Sequence, residues 1–359
     1  MYVGLLIYGS LRTISGGFIY DRNLVRYLRD SGDRVDVISL PWRPYGSSLL
    51  DNLNSGLRRR LAQAAFDVLL EDELVHPSCF WLNRRLRPQL SYPVVAIVHH
   101  LRGRERHPAL MARLYREVEK RYLASVDGFI CVSQTTKQDV EDLVGPARPL
   151  VVASPGRDGL PGAVTRREIA ARATAPGPLR LIFVGNLIPR KGLHTLLAAL
   201  ASLPRDDWQL TVAGSLEMDA AYVQAIRRQI KDGGLAPRVS LLGTLSAREL
   251  AARCAASHLL AVPSSYEGFG IVYLEGMHFG LPAIAGTVGA AQELVRHGHN
   301  GFLAPPEDAA ALARYISLLM ADRELLQRMS LTAHGSAAAH PTWDETAARA
   351  RGFIQGFLK

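Results

Sequence analysis

Cysteine is scarce in this sequence: Cys79, Cys131 and Cys254 are the only three among 359 residues. They are far apart, odd in number and without a CxxC pair. That argues against a disulfide framework and a zinc ribbon, and fits a reducing compartment. Each reads as a small buried apolar residue. Long apolar runs are also missing, since no stretch approaches the ~18 residues of a spanning helix. The first apolar run, Tyr2–Tyr8, has no basic residues before it and stops at Gly9-Ser10. It reads as a β-strand rather than a signal peptide, and the expectation is a protein that is soluble or lies on a surface. Neither GxGxxG nor GxxxxGK[ST] occurs, so the dinucleotide fingerprint and the P-loop lack their markers. No Asp-x-Asp triplet occurs either; Glu71-Asp72-Glu73 comes nearest.

Hydrophobic residues make up 48% and charged residues 21%, which is globular and excludes a disordered chain. At ~100–200 residues per domain the length suits two domains. The net charge is +9, with an excess that is local. Residues 84–121 hold ten basic side chains against three acidic ones and supply +7 of it. Such a patch is open to three readings: an anionic lipid surface, an anionic acceptor, or a solvated basic face. Nucleic acid is not expected, because the window has only Tyr92 and Tyr115 to stack on bases.

The chain alternates short apolar strands with amphipathic helices. Strands are expected at Tyr2–Tyr8, Arg34–Ser39, Phe66–Leu70, Pro93–Val98, Asp127–Val132 and Leu150–Ala153. Helices are expected at Phe18–Arg29, Ala109–Ala124 and Gln134–Leu143. Prolines 155, 161, 176 and 178 then interrupt the rhythm. It restarts with strands at Leu179–Val184, Gln209–Ala213, Val239–Leu242, Leu259–Val262 and Ala283–Ala285. Helices follow at Leu193–Ser202, Ala220–Lys231, Ala309–Leu319, Arg323–Ser330 and Trp343–Phe357. This predicts two doubly wound α/β domains, residues 1–160 and 161–342. Ligands of such sheets bind beyond the strands' carboxyl ends, and a cleft between two such domains is the expected site.

Four motifs sit at strand ends. In Glu267-Gly-Phe-Gly-Ile-Val-Tyr-Leu-Glu275, two carboxylates flank a glycine-rich turn into a helix. Gly268 and Gly270 allow close approach, and the amides of Phe269, Gly270 and Ile271 would face an anion. The plainer alternative is a helix N-terminal charge plus a surface Glu. In Gly185-Asn-Leu-Ile-Pro-Arg190-Lys191-Gly192, two cations follow a strand and suit a diphosphate, unless the turn is merely solvated. Ser15-Gly16-Gly17 opens the first helix. His99-His100 ends the strand Pro93–Val98, facing a ligand or simply packed. Glu71-Asp72-Glu73 reads as an acceptor contact or a solvated acidic loop.

Taken together, these motifs resemble the retaining GT-B glycosyltransferases of family 4, the glycosyl transferases group 1 set. The likeness is strongest from Leu179 to Pro305. It includes Val262-Pro-Ser-Ser-Tyr-Glu-Gly-Phe-Gly270, Glu275, Gly280-Leu-Pro282 and Asn300-Gly-Phe302, with Val132-Ser-Gln-Thr-Thr-Lys137 in the first half. The resemblance implies a nucleoside diphosphate sugar donor and a hydroxyl acceptor (sugar, glycolipid or small polyol). It implies retention at the anomeric carbon and no other cofactor; with no Asp-x-Asp triplet in the chain, metal dependence is not expected. By likeness, Glu267 holds donor-sugar hydroxyls and Glu275 the ribose diol. Arg190 and Lys191 clamp the diphosphate beside Gly185, while Phe269, Gly270 and Ile271 offer backbone. Gly16 and Gly17 approach phosphate and acceptor, His99 reaches the transferred sugar, and Gly243 and Leu245 flank the base. His100, Glu71 and Asp72 are candidate acceptor contacts. Residues 343–359 resemble the family's last helix, which crosses back to the first domain; the alternative is an ordinary terminal helix of the second domain. A cytoplasmic enzyme touching the inner face of the plasma membrane is the expectation. Two departures stand out: Asn186 where many relatives carry Arg, and His100 where they often carry Asp.

Two other enzyme classes share the architecture. A phosphorylase needs a lysine for pyridoxal phosphate, and none of the five lysines sits in such a context. A nucleotide-sugar epimerase would need no acceptor, so product analysis separates it from a transferase.

Overall fold

The computed structural model describes residues 1–13 and 15–358. The chain forms two units, residues 1–156 with 341–359, and residues 157–340. The sequence placed these joins at 160/161 and 342/343. The last residue assigned to the returning segment, Lys359, lies outside the described residues.

In the first unit six strands form one parallel sheet: β1 (Tyr2–Tyr8), β2 (Arg34–Leu40), β3 (Val68–Asp72), β4 (Val94–Val98), β5 (Gly128–Cys131) and β6 (Leu150–Val152). Their spatial order is β2-β1-β3-β4-β5-β6. Val94–Val98 is buried at every position, as a strand covered on both faces requires. β3 begins two residues later than the sequence suggested. Its register pairs Val68 with Val3, while Phe66 packs edge-on against Tyr2. The delay draws Glu71 and Asp72 into the strand.

The second unit repeats the plan with β7 (Leu179–Val184), β8 (Trp208–Ala213), β9 (Val239–Gly243), β10 (Leu259–Val262), β11 (Ala283–Gly286) and β12 (Gly301–Ala304). Their order is β12-β11-β10-β7-β8-β9, the Rossmann arrangement. The proline-broken segment after β6 contains a helix, Arg166–Thr174, with a Thr165/Glu168 capping box.

The helix Trp343–Gln355 belongs to the first unit, as the resemblance implied. Its Arg351 grips Asp33 with two hydrogen bonds, of 2.7 and 3.2 Å. The terminal amine of Met1 meets the same carboxylate at 2.8 Å. Thr346 Oγ1 donates to the Ser154 carbonyl at 2.6 Å.

Candidate active site

In the second sheet the chain runs outward in opposite directions from β7 and β10, so the loops after these strands part and leave a crevice. After β7, the Gly185 amide donates to the Ala213 carbonyl at 2.9 Å. Asn186 Oδ1 accepts from the Ser215 amide at 3.4 Å, tying this turn to the one after β8. The loop then makes a tight turn through Pro189–Lys191 into Gly192, which is left-handed at φ +73. A Cβ on Gly192 would lie 2.4 Å from the Pro263 carbonyl oxygen, so glycine lets the β7 loop pack on the β10 loop. The Ser265 amide donates to the Arg190 carbonyl at 2.8 Å and completes the join.

This packing gathers Arg190, Lys191 and Glu267. Lys191 Nζ meets Glu267 Oε1 at 2.5 Å, and Arg190 Nη1 stands 3.6 Å from Oε2. Ser264 Oγ donates to Oε1 at 2.6 Å. Glu267 is only 6% exposed. Burial opposes its charge, but the two cations prevail and hold its carboxyl at about 2.

Gly270 is left-handed (φ +91) and opens the helix Ile271–His278. The Tyr273 hydroxyl donates to the Val262 carbonyl at 2.7 Å and pins that helix to β10. Phe269 and Ile271 bury their side chains, so what they offer a ligand is backbone. Glu275 is the counterpart of Glu267. It is buried and makes no hydrogen bond among the described residues, and burial alone pushes its carboxyl up to about 7. The two acids therefore have opposite electrostatics, and neither is the surface charge that the spacing left open. Gly243 ends β9 and accepts from the Gly214 amide at 2.8 Å. Leu245 is half-buried beyond it. No hydrogen bond or ion pair among the described residues joins either to the Glu267 group.

In the first sheet the corresponding reversal lies between β1 and β3. Gly16 and Gly17 start the helix Gly16–Asp30 after β1. A Cβ on Gly17 would come within 3.0 Å of His99 Cδ2, so the glycine makes room for the imidazole. His99 follows β4, and its amide donates to Glu73 Oε2 at 2.8 Å. Its Nε2 stands 3.4 Å from Asp21 Oδ1 and 3.9 Å from Asp72 Oδ2. His100 turns elsewhere, with Nε2 3.1 Å from Glu105 Oε1.

Two expectations need correction here. Glu71 and Asp72 are fully buried strand residues, not a solvated loop and not surface acceptor contacts. Glu71 accepts from Asn83 Nδ2 at 2.9 Å, and burial pushes its carboxyl up to about 7. Asp72, next in the strand and so on the other face, accepts from the Leu74 amide at 2.8 Å and lies behind His99.

Sequence reasoning missed Asp21 and Ser264. Asp21 lies on the helix stripe of Leu24, Val25 and Leu28, all buried. An acid among apolar residues at that spacing was the available signal. Ser264 precedes Glu267 by three residues and had no distinguishing pattern.

Residues 14–158 match the family model "Glycosyltransferase Family 4", and residues 165–334 match "Glycosyl transferases group 1". The chain belongs to this family of glycosyltransferases. A GDP-mannose-dependent alpha-(1-6)-phosphatidylinositol monomannoside mannosyltransferase of Mycobacterium tuberculosis is 30% identical over 258 residues, 68% of this chain and 66% of that protein. A D-inositol 3-phosphate glycosyltransferase of Nocardia farcinica is 30% identical over 77% of this chain and 64% of its own length. The chain thus spans just under two thirds of these relatives. Among solved structures, a sucrose-phosphate synthase from Thermosynechococcus elongatus aligns with a TM-score of 0.82 at 23% identity, covering 99% of this chain and 98% of that one. The Anabaena protein HepE in complex with UDP-glucose aligns at 0.77 and 21%, covering 99% and 100%. At these identities the likeness establishes the fold, two Rossmann-like domains of GT-B type.

Proposed function

We propose that this chain moves a glycosyl group from a nucleoside diphosphate sugar to a hydroxyl acceptor, with retention at the anomeric carbon. The observation that carries the reading is the convergence of Lys191 and Arg190 on buried Glu267 at the β7/β10 crevice. A leaving diphosphate gathers negative charge as the glycosidic bond stretches. Two cations and the amides opening the helix after Gly270 stabilise that charge without a metal. Glu267, held near 2 and engaged by Lys191 and Ser264, is a weak base and a poor nucleophile. Its role is to accept hydrogen bonds from sugar hydroxyls. The acceptor proton goes to the departing phosphate oxygen on the same face. Glu275, buried without a hydrogen-bond partner among the described residues, takes the two hydroxyls of a ribose.

The curated relatives make GDP-mannose a first donor to test, and a polyol or glycolipid a first acceptor. The first unit exposes Trp42, Leu50, Leu53, Trp81, Leu110 and Leu114 among basic side chains. This supports peripheral contact with an anionic membrane on its cytoplasmic face. No described helix is long and apolar enough to cross one.

A thermal-shift screen against GDP-, UDP- and ADP-sugars tests the donor. At a hundredfold excess over Kd the true donor adds ~3 kcal/mol of stability, a shift of roughly 5–10 °C. No shift with any of them sinks the reading. Turnover that survives excess chelator, with the product's anomeric configuration unchanged, is expected. Loss of activity with chelator overturns the metal-free mechanism, and conversion of donor without acceptor points to epimerisation.

A further inference from the structure

Asp21, Asp72 and His99 bring three ligand atoms within 4.8 Å of one another at the β1/β3 reversal. Both carboxyl groups are completely buried. Four atoms that face this cluster are sealed from solvent and have no hydrogen-bond partner among the described residues: Asp21 Oδ1 and Oδ2, Asp72 Oδ2 and His99 Nε2. Buried polar atoms are seldom left in that state. The neighbouring Arg22 favours ionised Asp21 by its charge but makes no hydrogen bond to it, and its Nη1 goes to the carbonyls of Leu11 and Thr13. The next acid, Glu73, is occupied by the His99 amide.

We propose that Asp21 and Asp72 share one proton and together hold His99 as the neutral Nε2–H tautomer, so that Nδ1 is presented to ligand as an acceptor. One proton between the two carboxyls serves both acids, and Nε2–H turns its positive end toward Asp21 Oδ1 at 3.4 Å and Asp72 Oδ2 at 3.9 Å. A single negative charge is then left in the cluster. The opposite tautomer would set the lone pair of Nε2 against carboxylate oxygens. Burial acts in the same sense on each group, raising both carboxyls and lowering the imidazole. Nδ1 is not among the sealed atoms and makes no hydrogen bond with the described residues, so it is the nitrogen on the open side. A neutral ring with Nδ1 outward accepts a hydroxyl proton of a sugar but donates none. Asp21 and Asp72 are thus positioning residues that act through His99. The ligand half of this inference rests on His99 meeting the transferred sugar; the tautomer half does not.

The test is a long-range proton–nitrogen NMR spectrum of the full chain labelled with nitrogen-15, with His99→Gln to assign the ring. At pH 7 the expected pattern is a protonated Nε2 and an unprotonated Nδ1. Asp21→Asn, whose amide can donate to Nε2, is expected to move the ring toward Nδ1–H. It should lower kcat/KM on the donor found in the thermal screen by roughly 10- to 100-fold, the scale of leaving one buried polar group without its partner. Where Asp21→Asn does not fold, Asp72→Asn is read in the same way. A wild-type Nδ1–H ring, an imidazolium at pH 7, or a spectrum unchanged in the variants overturns the proposal. So does one equivalent of metal bound at the trio in the purified protein, because Nε2 would then be a ligand. The spectrum needs no substrate. The expected tautomer in a chain that binds no nucleotide sugar would refute the transferase reading and leave the pair standing.

Discussion

Glu267 can be made to report on its own surroundings. Its carboxyl is held at about 2 against an ordinary 4.5, despite a burial that opposes charge. That depression is worth about 3 kcal/mol of stability. A carboxyl depressed by the fold stabilises above its unfolded pKa and loses that contribution as pH falls through the folded one. The contribution is therefore complete above pH 4.5 and gone near 2. Lys191 supplies both the largest favourable charge and a hydrogen bond, with Arg190 and Ser264 adding less. More than half of the gain, on the order of 2 kcal/mol, should therefore appear as coupling between Lys191 and Glu267. The experiment is a double-mutant cycle of Lys191→Met and Glu267→Gln at pH 7. Urea-dependent hydrogen exchange of peptides from residues 157–340 reads this unit separately. Each single variant leaves a buried group without its partner and should cost more than the double variant implies. Lys191→Met should also reduce turnover by two to three orders of magnitude, the scale of losing one charge-stabilising donor. Additivity within ~0.5 kcal/mol would refute the paired arrangement. Full turnover in Lys191→Met would refute its place at the diphosphate.

Glu275 should behave in the opposite way. Burial raises its carboxyl to about 7, so its protonated form favours the fold at low pH and this advantage fades as pH rises through 7. Glu275→Gln should therefore raise the Tm at pH 8, leave it unchanged at pH 4 and weaken donor binding; a lower Tm at pH 8 contradicts this. Gly270→Ala should destabilise by roughly 1–3 kcal/mol and lose donor affinity, because φ is +91 and the new Cβ would lie 2.4 Å from the Tyr273 ring. Calorimetry with the donor and urea unfolding check the two effects, and wild-type values in both count against the turn's role. Reversing Arg58, Arg59, Arg60, Arg84 and Arg85 to Glu should abolish co-sedimentation with anionic liposomes and spare activity on a soluble acceptor. Binding insensitive to salt and lipid charge would tell against the membrane contact.

Much of the fold was legible because buried parallel strands write themselves as unbroken apolar runs. Val94–Val98 and Leu259–Val262 are such runs, and both are strands buried at every position. Short edge elements carry no such signal. β12, four residues beginning at a glycine, has too little apolar length to stand out. The strand at Glu71-Asp72 was misplaced for the converse reason. Its two acids look like a loop, but pairing with β1 and β4 carries the strand through them. Their charge is then managed by Asn83 on one face and by His99 on the other.

The site was legible where one loop carries its own chemistry and illegible where the sheet order brings distant loops together. Glu267 and Glu275 could be paired from spacing alone. That Lys191 meets Glu267 depends on β7 lying beside β10, which no local pattern encodes. Asp21, Asp72 and His99 come from three separate strand–helix units and meet only because β1, β3 and β4 are consecutive in the sheet. In sequence the trio looks like one acid on a helix, one in a strand and one histidine of an adjacent pair. Space joins them at a strand-order reversal, the same kind of position that gathers Lys191 and Glu267 in the other sheet. The two reversals collect opposite electrostatics. In one, cations hold a carboxylate ionised; in the other, burial raises two carboxyls that share a proton in the arrangement proposed above. Under the proposed function the first suits the donor's diphosphate and the second a neutral sugar hydroxyl.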